Sequence, residues 1–280
     1  MSPRPLILVT NDDGITAGGI AALVEVAREF GDVLVVAPDS PQSAQGHAIT
    51  ISVPVFVRES DVFGEAVEAY ECSGTPVDCV KLAKSVLLNG RRPDLCLSGI
   101  NHGSNAAINI LYSGTLSAAM EASLEGIPSI GFSFLNYRAD ADFAVCLPYV
   151  RRLVEFVLTS GMAEGSLYNV NIPDLPAAEI RGLKVCRQAE ARWVEEYVRA
   201  EDPRGRPYYW LTGRFVNEDE RTDTDAYALE HGYVSLVPSL HDLTNNRALA
   251  SLQTIEASLQ PEGVTYEAGE ISREQQLEQF

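Results

Sequence analysis

Two adjacent carboxylates, Asp12 and Asp13, close the stretch PLILVTNDDGITAGGI, directly after the apolar run Leu6 to Val9. That run is short, hydrophobic throughout and bounded by polar residues, the pattern of a strand buried on both faces of a parallel sheet. In open α/β sheets, ligands gather outside the carboxyl ends of the strands, so Thr10 to Gly14 stands where a ligand belongs. Neighbouring like charges repel unless something positive lies between them, and a hard divalent cation is the simplest candidate. Both carboxylates reach one ion only if the chain turns here, which Gly14 permits. Taken alone, the stretch supports equally well a helix cap at Asp12 with Asp13 in solvent.

Three further stretches carry compatible groups. APDSPQSAQGHAIT brings the Ser43 hydroxyl, LSGINHGSN alternates Asn101 and Asn105 with glycines, and YSGTLSAAMEA places Ser113, Gly114 and Thr115 at the start of a helix. Amide oxygens suit hard cations, glycines admit close backbone approach to an anion, and helix N-termini favour phosphate. Each stretch by itself also reads as an ordinary loop or N-cap. Together, at successive connections of a parallel sheet, their tips converge on one edge. The donors are all oxygen, which favours Mg²⁺, Mn²⁺ or Ca²⁺ over zinc or copper.

Other readings of an acidic pair after a first strand fail on the letters. A phosphorylation switch needs a carboxylate after the PDLCL strand, where this chain has Ser98-Gly99-Ile100-Asn101. No G-x-G-x-x-G follows the first strand, and neither a G-x-x-x-x-G-K-[ST] loop nor a G-x-S-x-G elbow occurs.

The elements that must position these groups alternate through the first half. GIAALVEVAREFG reads as a helix ending at a glycine, DVLVVAP as a buried strand, and TPVDCVKLAKSVLLNG as a helix with Thr75 as N-cap and Pro76 in its first position. PDLCLSGIN, PSIGFSF, YNVNIPD, GLKVCRQ and GYVSLVPSL read as strands, SGTLSAAMEASLEGI and FAVCLPYVRRLVEFVLTSG as helices. This βα repetition predicts a Rossmann-like, doubly wound, mostly parallel sheet. Residues 193–213 predict two strands joined through Asp202-Pro203-Arg204-Gly205, a projecting hairpin whose Tyr208, Tyr209 and Trp210 suit an oligomer contact and ordinary packing equally well. The expected organisation is one α/β domain over 1–280, with the core in 1–180 and the hairpin and an oligomerisation segment in 181–280.

The formal charge of −18 speaks against gripping nucleic acid or an anionic membrane, so a phosphate substrate would be met locally by a cation and backbone amides. Five scattered cysteines without CxxC or Cys/His spacing read as buried thiols, and with no apolar run near ~18 residues the expected location is the cytoplasm.

In order and approximate spacing, VTNDDGITAGGI, VVAPDSPQSAQGHAIT, CSGTPVDCVKLA, PDLCLSGINHGSN and YSGTLSAAMEA resemble the motifs of the SurE (survival protein E) 5′/3′-nucleotidases. The likeness resumes in NVNIPDLP, DPRGRPYYW, TDAYALEHGYVSLVP and HDLT. The resemblance implies a metal-dependent phosphomonoesterase acting on nucleoside monophosphates, with some members trimming short polyphosphate. It implies one divalent cation per subunit, Mg²⁺ or Mn²⁺, on Asp12, Asp13, Ser43 and Asn101, with phosphate contacts at Asn105, Ser113, Gly114 and Thr115. The cation would neutralise phosphoryl oxygens and lower the pKa of the attacking water, with Asp12 the first choice and Asp13 the alternative for orienting or deprotonating it. Homodimers or homotetramers would form through the hairpin and an exchanged C-terminal segment, with Asp242 as a contact; Asn245-Asn246 stands where some relatives have a histidine. His47 is a weaker candidate for substrate contact. A nucleotide-sensing protein that keeps the metal site without turnover is the alternative.

Overall fold

The computed structural model describes residues 4–246 and, beyond them, residues 248, 249, 251, 252 and 255. Two compact units divide the chain, Met1–His241 and Asp242–Phe280. The first unit contains β1 (Leu6–Thr10), α1 (Gly18–Phe30), β2 (Asp32–Pro38), β3 (Val57–Glu59), β4 (Glu68–Cys72), α2 (Pro76–Leu82) and β5 (Leu95–His102). It continues through α3 (Gly114–Leu124), β6 (Ser129–Phe134), α4 (Leu147–Ser160), β7 (Ser166–Ile172) and β8 (Leu183–Val185). The hairpin strands β9 (Ala191–Glu201) and β10 (Pro207–Asn217), then α5 (Asp225–Glu230) and β11 (Val234–Leu240), complete it.

Nine strands form one sheet in the order β3-β4-β2-β1-β5-β6-β7-β11-β8. The pairings from β4 across to β7 are all parallel, whereas β3 with β4 and β7 with β11 are antiparallel. From β1 the chain first builds outward to β2 and β4, then returns to build β5, β6 and β7 on the other side. Strand order therefore reverses between β1 and β5, and a crevice opens beyond their carboxyl ends.

Strand alternation sends Ile7 and Val9 to one face of the sheet and Leu8 to the other. Ile7 and Val9 join a core cluster with Ile20 and Leu23 of α1 and with Val150 and Val154 of α4. Leu8 joins Val80 of α2 and Ala118 and Ala122 of α3. Each buried aliphatic side chain contributes about 2 kcal/mol, so a strand covered on both faces is continuously apolar, as the run from Leu6 to Val9 is.

Helix ends follow local chemistry. Thr75 caps α2 by accepting from the Asp78 amide at 3.1 Å, and the Asp78 carboxylate accepts from the Thr75 amide at 2.9 Å, a reciprocal box ahead of Pro76. Ser113 caps α3 by accepting from the Leu116 amide at 3.1 Å.

Three elements go beyond the sequence-based expectation. β3, β4 and α5 are short: β4 spells EAYEC with two of five residues buried, and α5 has six residues, too few for a periodic signal. The main sheet runs past residue 180 and takes in β8 and β11, the strands read from GLKVCRQ and GYVSLVPSL. Val234 and Leu236 of β11 are buried against the common core, which explains why an apolar strand so late in the chain returns to the sheet. The hairpin of β9 and β10 is paired over eleven registered residues, from Ala191 with Asn217 to Glu201 with Pro207. Of the expected C-terminal exchange segment, residues 247, 250, 253, 254 and 256–280 lie outside the described residues.

Candidate active site

Gly14 has φ +97°, and this left-handed turn ends the line of β1 immediately after the acidic pair. Asp12 and Asp13 line a cavity of about 770 Å³ together with Ser43, Asn101, Asn105 and Ser113. His47 does not line it, and neither do Gly114 and Thr115.

Asp12 is almost fully buried, and the Thr115 hydroxyl donates to its Oδ1. Burial pushes its pKa up to about 6; the Thr115 hydrogen bond opposes the rise and the Asp13 charge adds to it. Asp13 is half-buried and its pKa is likewise raised, by desolvation, against the His102 amide that donates to its Oδ2 at 3.3 Å. Neither carboxylate makes an ion pair with a basic side chain among the described residues. Two adjacent, desolvated, uncompensated carboxylates fit a cation between them.

The other candidate donors line the same cavity. Asn101 spends its Nδ2 on the carbonyls of His102 at 3.1 Å and Gly103 at 3.0 Å, which fixes the amide and leaves Oδ1 as the group available to a cation. A bulge between Ser98 and Asn101 breaks the register of β5 with β6 and sets Asn101 at the strand's end. Ser43 sits on an irregular loop whose Gln42 amide donates to the Asp12 carbonyl at 2.8 Å and whose Gly46 amide donates to the Tyr112 carbonyl at 3.2 Å. Among the described residues no three His, Cys, Asp or Glu side chains cluster, so carboxylates alone cannot complete a metal shell. A hydroxyl and an amide oxygen would complete it, a set suited to a hard cation.

On the anion side, α3 points its N-terminus at Asp12. Gly114 permits this approach, because a Cβ there would lie 2.7 Å from Asp12 Cβ and 2.9 Å from Asp12 Oδ2. Ser113 Oγ accepts from Leu116, which leaves its hydrogen to donate into the cavity. Asn105 donates from Nδ2 to Ser133 Oγ at 2.8 Å, using one of its two amide hydrogens. Its backbone is held by Asn171, which accepts from the Asn105 amide at 2.8 Å, and by Asn169, which donates to the Asn105 carbonyl at 2.9 Å.

His47 faces the buried Glu121 of α3 at 2.9 Å instead of the cavity. Lys81 of α2 also bonds Glu121, while Thr50 donates to Asp78 from its amide at 3.1 Å and its hydroxyl at 2.6 Å. The loop that carries Ser43 is thus fastened to α2 and α3 by two carboxylates. Sequence reasoning passed over Glu121, Ser133, Asn169, Asn171 and Asp225. Asp225 is fully buried and accepts from the amides of Ala107 at 2.8 Å and Ala189 at 2.9 Å, joining the segment after Asn105 to the base of the hairpin. The polar pair in NVNIPD was the one available signal, because two asparagines in an otherwise buried strand require partners.

Asp242, in the second unit, accepts from the Thr244 amide at 2.8 Å. No described helix is long and apolar enough to cross a membrane, and all five cysteines are buried and unpaired.

A family model described as survival protein SurE matches residues 7–195. A protein of Christiangramia forsetii named 5′-nucleotidase SurE is 57% identical over 256 residues, covering 90% of this chain and 96% of that protein. One of the same name from Cytophaga hutchinsonii is 55% identical over 249 residues, covering 89% and 96%. The crystal structure of the SurE protein from Aquifex aeolicus matches with a TM-score of 0.78 at 40% identity, covering 90% of this chain and all of that one.

Proposed function

This chain belongs to the SurE survival-protein family, and from that premise we propose that it is a metal-dependent phosphomonoesterase releasing phosphate from nucleoside 5′-monophosphates. Nucleoside 3′-monophosphates and short polyphosphate are further substrates in this reading. The observation that carries it is the meeting of two desolvated, unpaired carboxylates with the N-terminus of α3 in one cavity.

Asp12, Asp13, Ser43 and Asn101 would hold one Mg²⁺ or Mn²⁺, and Ca²⁺ suits the same oxygens. When bound, the cation neutralises phosphoryl oxygens and lowers the pKa of water. Ser113 donates its hydroxyl hydrogen to a phosphoryl oxygen, and the amides at the start of α3 stabilise charge as it grows toward the transition state. Asn105, clamped by Asn169 and Asn171, offers its second amide hydrogen to the same group. Asp12 lines the cavity while Thr115 holds its Oδ1, an arrangement suited to orienting water and taking its proton.

Pairing through the exposed hairpin, with Tyr197 at 67% and Trp210 at 65% exposure, supports a homodimer or homotetramer, with Asp242 as a further contact. Buried unpaired thiols support a cytoplasmic location.

The test is phosphate release from a panel of nucleoside monophosphates with Mn²⁺ or Mg²⁺ and then with chelator. Metal-dependent release is expected. Asp12→Asn should lose Mn²⁺ affinity and turnover together; near-normal hydrolysis by this variant would remove Asp12 from the site. Metal and nucleotide binding without release would leave a sensor.

A further inference from the structure

The cavity is larger than a phosphate needs, and its lining mixes two chemistries. Besides Asp12, Asp13 and Ser113 it includes Tyr112, Tyr137 and the hairpin residues Trp193 and Leu211. We propose that Trp193 is the stacking platform for the substrate's nucleobase, so that the hairpin is a wall of the substrate site. This inference rests on the nucleotidase reading above.

Trp193 is fixed as a platform should be. Its Nε1 donates to Asn109 Oδ1 at 2.7 Å, and the ring of Phe215, its cross-strand partner, meets it edge-on with centroids 5.7 Å apart. Although held at its polar edge and on one side, it remains 41% exposed. A large aromatic that is anchored and still open presents a π-face at no further cost in side-chain entropy. Asn109 belongs to the 3₁₀ segment Ala107–Leu111, which leads through Tyr112 directly into Ser113, so platform and phosphate site share one stretch of chain. Tyr137 lines the same cavity: its ring lies where a side chain at Gly103 would be, and its hydroxyl accepts from the Ser104 amide at 3.3 Å. A ligand suited to both chemistries is a phosphomonoester carrying a flat, mostly apolar group, which a nucleoside monophosphate is.

The decisive comparison is AMP against ribose 5-phosphate, which has the same phosphate and sugar without the base. For Trp193→Leu, the ratio of kcat/KM for AMP to that for ribose 5-phosphate should fall roughly tenfold, the order that one base–aromatic stack supplies. Trp193→Phe should retain most of the ratio, although it loses the bond to Asn109. Asn109→Ala removes the anchor alone and should lower the same ratio, by less than Trp193→Leu does. A Trp193→Leu ratio within twofold of the parent would overturn the proposal. Binding decides the matter independently of turnover: in a Trp210→Phe variant, Trp193 is the single tryptophan of the chain. AMP with Mn²⁺ should quench its fluorescence while ribose 5-phosphate does not; equal response or none from AMP would sink the platform. Quenching by AMP without phosphate release would reject the nucleotidase reading and keep the platform.

Discussion

At Asp12 a single carboxylate answers to three neighbours: the Thr115 hydroxyl, the adjacent Asp13 and the packed edge of α3. Gly114 is the residue whose size allows this. Gly114→Ala would place a methyl group 2.7 Å from Asp12 Cβ, closer than carbon atoms pack, so either α3 or Asp12 must shift by several tenths of an ångström. Turnover should drop by about a hundredfold, since misplacement on the order of 1 Å at a reacting centre costs that much. Steady-state kinetics at saturating Mn²⁺ checks it, and a variant of parental rate would show that α3 has slack. Ser113→Ala separates anion from cation chemistry. It should lower kcat by roughly 10²-fold, the effect of losing one transition-state donor, and leave Mn²⁺ affinity within about threefold in a calorimetric titration. These side chains were legible in the sequence because each stands at a boundary between strand and helix, where polarity interrupts an apolar run. Ser133, Asn169 and Asn171 were not, because their partners are distant in the chain and only pairing of β6 with β7 brings them under Asn105.

Among the elements, the irregular loop bearing Ser43 depends most on others. It has no strand or helix of its own, and its position follows from Glu121 and Asp78. Burial works to raise the Glu121 pKa, and the bonds from His47 and Lys81 outweigh it, so the carboxyl sits below its ordinary 4.5. A depressed carboxylate pKa stabilises the fold above the unfolded-state value, and that stability is lost as pH falls through the folded value. Glu121→Gln should therefore cost about 2 kcal/mol near neutrality, with the gap from the parent closing below roughly pH 4. Thermal melts from pH 3 to 7 measure this; a constant gap across the series would show that the carboxylate's charge contributes nothing. Mn²⁺ affinity should weaken as well, because Ser43 loses its anchor. Strands β1, β2 and β5 and the caps at Thr75 and Ser113 could be read from local pattern, whereas β4 alternates too weakly and α5 is too short for periodicity to register.

Across the whole molecule, an anionic substrate must approach a protein of formal charge −18. The long-range field opposes encounter, and attraction is confined to the cavity. Screening lengths shrink from about 30 Å at 0.01 M salt to about 8 Å at 0.15 M, so kcat/KM for AMP at saturating Mn²⁺ should rise several-fold over that range of KCl. A fall would mean that positive potential extends beyond the cavity mouth. Reversal of strand order at β1 and β5 could be anticipated from βα repetition. The return of β8 and β11 to the same sheet could not, because nothing local to an apolar strand specifies which edge it joins.

The Asp225 carboxylate reaches back 118 residues to the Ala107 amide. A ribosome adds about 5 to 20 residues per second, so a nascent chain carries Ala107 for roughly ten seconds before its acceptor is synthesised. During that interval the acidic pair, the Ser43 loop and the α3 terminus already exist, but the Ala107 amide lacks the buried carboxylate that receives it in the folded chain. The late carboxylate thereby ties Ala107 down only once the chain has grown as far as Asp225.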